Sequence, residues 1–201
     1  MTPEQFSSRF CLTLPIDKEL GNTEVLRSRL VANNNSQRKI INAAVLVPII
    51  KRPSGLTLLF TQRSQNMRHH PGQVSFPGGK EDPDDSSLQY TALRETFEEV
   101  GIGHDQITTL GWLPNFQTIS NFNLYPLVGL IENIDQLSLN PAEVESAFEV
   151  PLNHFLQRDN HHIIKSTFNS IDHPIHFMPY QDKLIWGVTA AIIDQLILHF
   201  E

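Results

Sequence analysis

The sequence predicts an α/β protein, and three stretches carry that expectation. Ile40 to Ile50 is a short apolar run between Arg38-Lys39 and Lys51-Arg52, the composition of a strand covered on both faces. Leu93, Thr96, Phe97 and Val100 recur at helical spacing just before Gly101, a residue suited to end a helix. Trp186-Gly187-Val188-Thr189-Ala190 opens a second amphipathic helix that runs through Phe200. With 201 residues the chain can bury one sizeable core but not two, so residues 1–201 are read as a single domain with residues 1–36 as a helical extension packed on it.

The elements follow in order. Thr2 to Asn35 reads as one or two amphipathic helices, with Pro3 at a first helical position and Val25, Leu26, Leu30 and Val31 at helical spacing. Asn33-Asn34-Asn35-Ser36 is a loop. The run from Ile40 is too short to span a membrane, which needs about 20 residues, and reads as a central strand with Pro48 admitted near its end or at a bulge. Pro53-Ser54-Gly55 turns the chain and Leu56 to Arg63 returns as a hairpin partner. Ile107 to Leu113 and Asn123 to Ile131 are two further strands linked by Pro114 to Asn121, Pro151 to Gln157 is a short helix, and His161 to Phe168 pairs with Ile175 to Tyr180.

Composition bounds the function. Hydrophobic residues make up 40% and charged residues 18%, as in ordinary globular proteins, and the net charge of −7 disfavours nucleic acid as a partner. The same sign repels a phosphorylated substrate, so such a substrate would need cations and local arginines. Cys11 is the one cysteine, which excludes an internal disulfide and points to a reducing, cytoplasmic setting; Met1 to Cys11 lacks the apolar core of a signal peptide. Adjacent His69 and His70 are read as surface or substrate-contacting groups.

The chemistry concentrates between Gly78 and Ile102. Glu95, Glu98 and Glu99 lie at i, i+3 and i+4, on one face of a helix where like charges repel. A divalent cation explains that face better than solvation does, given Phe76-Pro77-Gly78-Gly79 upstream and Gly101 downstream. One side of this helix is expected to pack and the other to bind metal.

Arg94-Glu95-Thr96-Phe97-Glu98-Glu99-Val100-Gly101-Ile102 resembles the second half of the Nudix box. The first half departs from it: the box's glycine falls on Lys80 and its early glutamate on Ser86, so the loop after Gly79 is one residue longer, and Asp82, Asp84 or Asp85 stands in for the missing glutamate. Thr61, Arg63, Ser64, Arg68, Gly72 and Phe76-Pro77-Gly78-Gly79 are similar, at every spacing, to the added signature of the coenzyme A pyrophosphatase branch.

The resemblance implies an α/β/α Nudix sandwich, a mixed β-sheet between helices with a catalytic loop-helix-loop. It implies Mg²⁺ or Mn²⁺ on Glu95, Glu98 and Glu99, with the carbonyl of Gly79 as a further ligand and Arg94 orienting a glutamate. Arg63, Ser64, Arg68, Gly72, Gly78 and Lys80 become the candidate substrate contacts. Glu143, in an Asn-Pro-x-Glu-Val segment found in this branch, is the candidate base or extra ligand, against an equal reading as a carboxylate at a helix N-terminus. The expected reaction splits the diphosphate of coenzyme A into 4′-phosphopantetheine and adenosine 3′,5′-bisphosphate. The alternatives are a pyrophosphatase for ADP-ribose, a dinucleotide or acylated coenzyme A, and a nucleotide sensor that does not cleave. No membrane is expected as a partner, and the family admits a homodimer.

Overall fold

A computed structural model describes residues 5, 6, 8, 40–118, 121–134, 136–168 and 171–200. Most of the expected N-terminal helices and Cys11 therefore lie outside the described residues. Gln5, Phe6 and Ser8 are helical, and the Phe6 ring packs fully buried against Phe200 with centroids 4.8 Å apart.

The main sheet is built on β1 (Ile41–Arg52), which is buried along most of its length as its apolar run requires. It pairs antiparallel with β2 (Gly55–Arg63) through a turn at Pro53 and Ser54, inside the expected Pro53-Ser54-Gly55 segment, and parallel with β7 (Phe122–Ile131), so the sheet is mixed. β3 (Val74–Ser75) extends β2, while β4 (Gly78–Lys80) pairs with β1 beyond the hairpin. β5 (Ile107–Trp112) and β6 (Phe116–Gln117) add to β7, and β8 (Val144–Pro151) lies along β2.

Side-chain alternation along the strands divides the core into two layers. Val45, Val47, Ile49, Leu58, Phe60 and Val128 face one layer; Ala44, Leu46, Ile50, Leu59 and Leu127 face the other. Helix α1 (Leu88–Val100) covers the second layer with Ala92, Leu93 and Val100. The first is covered by α2 (Leu152–Leu156) and α3 (Gly187–Leu198), through Leu152, Phe155, Ile192, Ile193 and Leu196. A separate three-stranded sheet, β9 (His162–Phe168), β10 (Ile171–Tyr180) and β11 (Lys183–Trp186), joins this layer through Met178 and Ile185.

Several expectations are corrected. Pro48 sits inside β1, opposite Gly129, and not at its end or at a bulge. The Leu46 amide points to Pro77, and by the two-residue repeat Pro48 faces that same flank, between the segment paired with β4 and the segment paired with β2. Its missing N–H falls at this change of partner. Residues 141–143 form a turn that runs into β8, so Glu143 heads no helix. The far β-pair gains a third strand, and β8 was not foreseen as a strand because its alternation is mixed.

Phe60 is fully buried and stacks with Phe76 and Phe148, centroids 4.9 and 5.6 Å away, and meets Phe155 edge-on at 5.9 Å. Phe60→Ala is expected to lower unfolding free energy by about 3–5 kcal/mol in urea denaturation. A loss under about 1 kcal/mol would show that this aromatic group does not hold β2 to α2.

Candidate active site

Helix α1 begins at Ser87, whose hydroxyl accepts from the Tyr90 amide, and stops at Gly101, whose left-handed φ of 77° lets its amide return to the Phe97 carbonyl. Its buried arc runs through Ala92, Leu93, Thr96, Glu99 and Val100. That arc is turned relative to the expected one: Phe97 is 58% exposed, while Glu99 is only 3% exposed. Phe97 therefore does not pack, and the three glutamates do not share one open face. They grade from Glu99 inside, through partly buried Glu95, to Glu98, half-exposed at the rim.

Arg94 organises the ridge. Its Nε and Nη2 donate to the two oxygens of Asp85 at 2.9 Å each, and its Nη1 reaches Glu95 at 2.9 Å and Glu98 at 3.1 Å. Nη2 also donates to the Lys80 carbonyl at 3.3 Å. A planar guanidinium offers this fork where an ammonium cannot. Asp85 is thus the acid of the lengthened loop that meets Arg94 in the bidentate manner; Asp82 stays 3.8 Å away and exposed. The Asp82 amide and the Thr91 hydroxyl also donate to Asp85. Arg94 first, with these two donors against the effect of burial, holds the Asp85 carboxyl well below the usual carboxylate range.

Main-chain bonds bring the other partners to the helix. The amides of Ser138 and Asn140 donate to the carbonyls of Val100 and Glu99, satisfying groups that a helix end leaves open. Asn140 then turns the chain: its side-chain oxygen accepts from the Ala142 amide, and its carbonyl accepts from Glu143 and Val144. The Glu143 carbonyl accepts from the Ser64 amide at 2.8 Å. The result is one carboxylate oxygen each from Glu95, Glu99 and Glu143 within 4.8 Å of one another. Glu98 is outside that set, held by Arg94.

The unmet atoms show what this cluster fits. Among the described residues, Glu99 Oε2 is buried with no hydrogen-bond partner, and so is Arg63 Nε. Burial pushes the Glu99 carboxyl up to about 8; Arg63 and the Gly78 amide act against it, while Glu95 and Glu143 add to it. Glu95 is also raised, by burial first and then by Glu98 and Glu143, against the pull of Arg94. An orphaned acceptor among three converging carboxylates fits a hard divalent cation, and an orphaned guanidinium donor beside it fits a phosphate oxygen. Gly79 borders the set closely enough that a Cβ there would strike the Glu95 carboxyl, so no other residue gives this approach.

The remaining predicted contacts are spread along the loop. The register shifts between Gln62 and Arg63, so that Arg63 pairs with Val144 and Glu145 bulges from β8 at the end of the ladder. Buried Ser64 accepts from the Asn66 amide through its hydroxyl, and Gly72, with φ 68°, returns its amide to the Arg63 carbonyl. Arg68 is exposed, as are His69 and His70. Gly78 packs so tightly on Ala44 and Val45 that a Cβ would clash with their backbone. The Lys80 ammonium lies over the Phe122 ring, 5.8 Å from its centroid.

The sign of the Asp85 shift gives a test. A carboxyl lowered in the folded state adds stability that is present above its unfolded pKa and is lost as pH falls through the folded value. Asp85→Asn is expected to cost about 1–3 kcal/mol at neutral pH, with the gap to wild type narrowing below the ordinary carboxylate pKa of about 4. Urea denaturation at neutral and acid pH measures both; an unchanged gap would assign the loss to packing.

Residues 41–169 match the NUDIX domain family. The "Uncharacterized Nudix hydrolase NudL" of Photorhabdus laumondii subsp. laumondii is 42% identical over 191 residues, 95% of this chain and 94% of that one. Its namesake in Yersinia enterocolitica is 43% identical over 155 residues, 77% and 79% of the two chains. The NUDIX domain of Shewanella oneidensis NrtR, solved with ADP ribose, shares the fold with a TM-score of 0.53 at 18% identity, over 87% of this chain and 98% of that one. With the sandwich and the carboxylate ridge in place, the chain belongs to the Nudix hydrolases.

Proposed function

We propose that this Nudix hydrolase cleaves the diphosphate of coenzyme A or a coenzyme A derivative in the cytoplasm, giving 4′-phosphopantetheine and adenosine 3′,5′-bisphosphate. The observation that carries the reading is the pairing of two orphaned atoms, the Glu99 acceptor and the Arg63 donor, at the head of the loop that bears the coenzyme A signature.

Glu95 and Glu99 of the converging set, with the Gly79 carbonyl and with Glu98 drawn in from the rim, would hold Mg²⁺ or Mn²⁺. Such an ion supplies neutralisation of the diphosphate and a water of lowered pKa. The chain's own groups do the rest. Glu143 takes the proton from the attacking water: its carboxylate belongs to the converging set and accepts a long 3.4 Å bond from Asn140. Arg63 binds a diphosphate oxygen. Arg68, exposed on the same loop, is the cation for the further phosphate that distinguishes coenzyme A from simpler nucleoside diphosphates. Arg94 acts as a positioning residue, keeping Glu95 and Glu98 aligned through Asp85. Among the described residues no helix is long and apolar enough to cross a membrane.

The test compares free and acylated coenzyme A with ADP-ribose and a dinucleotide, with products identified by mass. Coenzyme A turnover is expected to exceed that of the others and to stop on chelation of divalent ions. Glu98→Gln is expected to lower kcat by about 10²–10⁴-fold with an unchanged circular dichroism spectrum. Arg63→Ala should reduce kcat/KM for coenzyme A more than for ADP-ribose. Faster hydrolysis of ADP-ribose or the dinucleotide by the wild type would overturn the substrate assignment, and near-normal activity of Glu98→Gln would overturn the role of that residue.

A further inference from the structure

A second group of ligating side chains lies in elements that supply none of the glutamates. His161 precedes β9, His176 is in β10 and Asp194 is in α3. One donor atom from each falls within 4.8 Å of the others. We propose that His161, His176 and Asp194 form a second cation site, of the nitrogen-rich kind that takes Zn²⁺ or a related transition ion.

The donor set separates it from the ridge. Glu95, Glu99 and Glu143 offer only oxygen, which suits Mg²⁺ or Mn²⁺, whereas two imidazoles and a carboxylate suit Zn²⁺. His161 Nε2 and His176 Nδ1 are 2.9 Å apart, and Zn–N bonds of about 2.0–2.1 Å at a tetrahedral angle place two nitrogens roughly 3.3 Å apart. A few tenths of an ångström of movement opens the pair.

The surroundings prepare both rings. His161 Nδ1 lies 3.3 Å from Asp194 Oδ1, so the carboxylate sits against the His161 ring as the second imidazole does. Arg158 reaches the same Oδ1 at 3.3 Å, and Asp194 completes the set with one carboxylate oxygen. Ligation needs both rings neutral, each with a lone pair for the ion. Burial lowers the pKa of both histidines and keeps them in that neutral form, against the pull of Asp194. The His161 side chain is only 6% exposed. An ion here would tie the small sheet to α3, which is part of the core beneath β1 and β2.

The experiment titrates Zn²⁺ into the full chain under saturating Mg²⁺, by calorimetry. One Zn²⁺ equivalent is expected to remain in a Glu95→Gln/Glu99→Gln double variant and to bind about ten- to a hundredfold more weakly in His176→Gln. In the wild type, Co²⁺ should show the intense visible bands of a four-coordinate site, a readout that needs no variant. Zn²⁺ uptake that disappears with the glutamates, equal affinity in His176→Gln, or absence of those Co²⁺ bands would each overturn the proposal. A lowered Tm in His176→Gln together with no Zn²⁺-dependent rise in Tm of the wild type would also overturn it, leaving the cluster as a hydrogen-bonded brace. None of these outcomes depends on nucleotide hydrolysis, so they stand apart from the coenzyme A reading.

Discussion

Carboxylates crowded onto one helical ridge repel one another, and sinking one of them into a core adds a desolvation cost. Arg94 is what makes this arrangement compatible with a folded chain. One guanidinium engages Asp85 by its fork and Glu95 and Glu98 by its remaining amine, so a single cation balances three acids and fixes the loop to the helix it precedes. Remove that fork and both the loop and the ridge lose their reference. Glu99 receives no bond from Arg94; Arg63 and the Gly78 amide offset its burial only in part, and its carboxyl stays raised.

The ridge rests on a sheet whose two faces are both covered. β1 supplies alternating residues to both layers, and its parallel partner β7 does the same, so α1 is seated on one side and α2 and α3 on the other. Rigid elements hold Glu95 and Glu99. Arg63 and Glu143 come instead from the ends of β2 and β8, which are paired to each other and shift register at Arg63. The 138–140 segment then closes the C-terminal end of α1 with its own amides, which ties Glu143 to the same helix as the glutamates. Backbone hydrogen bonding therefore does most of the assembly.

A half-buried ion pair follows the same logic on a structural scale. Arg52 donates to both oxygens of Glu149 at 2.6 and 3.1 Å, and the Thr57 hydroxyl adds a bond at 2.6 Å. Burial would raise Glu149, yet these donors together hold it below the usual range. The pair links β1 to β8 across β2, so the strand that follows the Glu143 turn is anchored at both ends.

Local sequence was sufficient for whatever depends on short-range periodicity and on residue chemistry. The central strand, its hairpin, the acid-bearing helix with its glycine stop, the strand near Asn123 to Ile131 and the last helix are all legible, because alternation, helical spacing and turn residues act over a few positions. So was the supply of carboxylates and arginines around residues 63–99. Tertiary packing alone decided the rest. It chose Asp85 over Asp82 and Asp84, since only contact geometry distinguishes three nearby acids. It rotated α1 so that Phe97 faces out and Glu99 faces in, because the neighbouring strands and not the helix's own pattern determine which arc is covered. It also joined Glu143 to Glu95 and His161 to Asp194 across long stretches of chain, through pairings that no local period encodes.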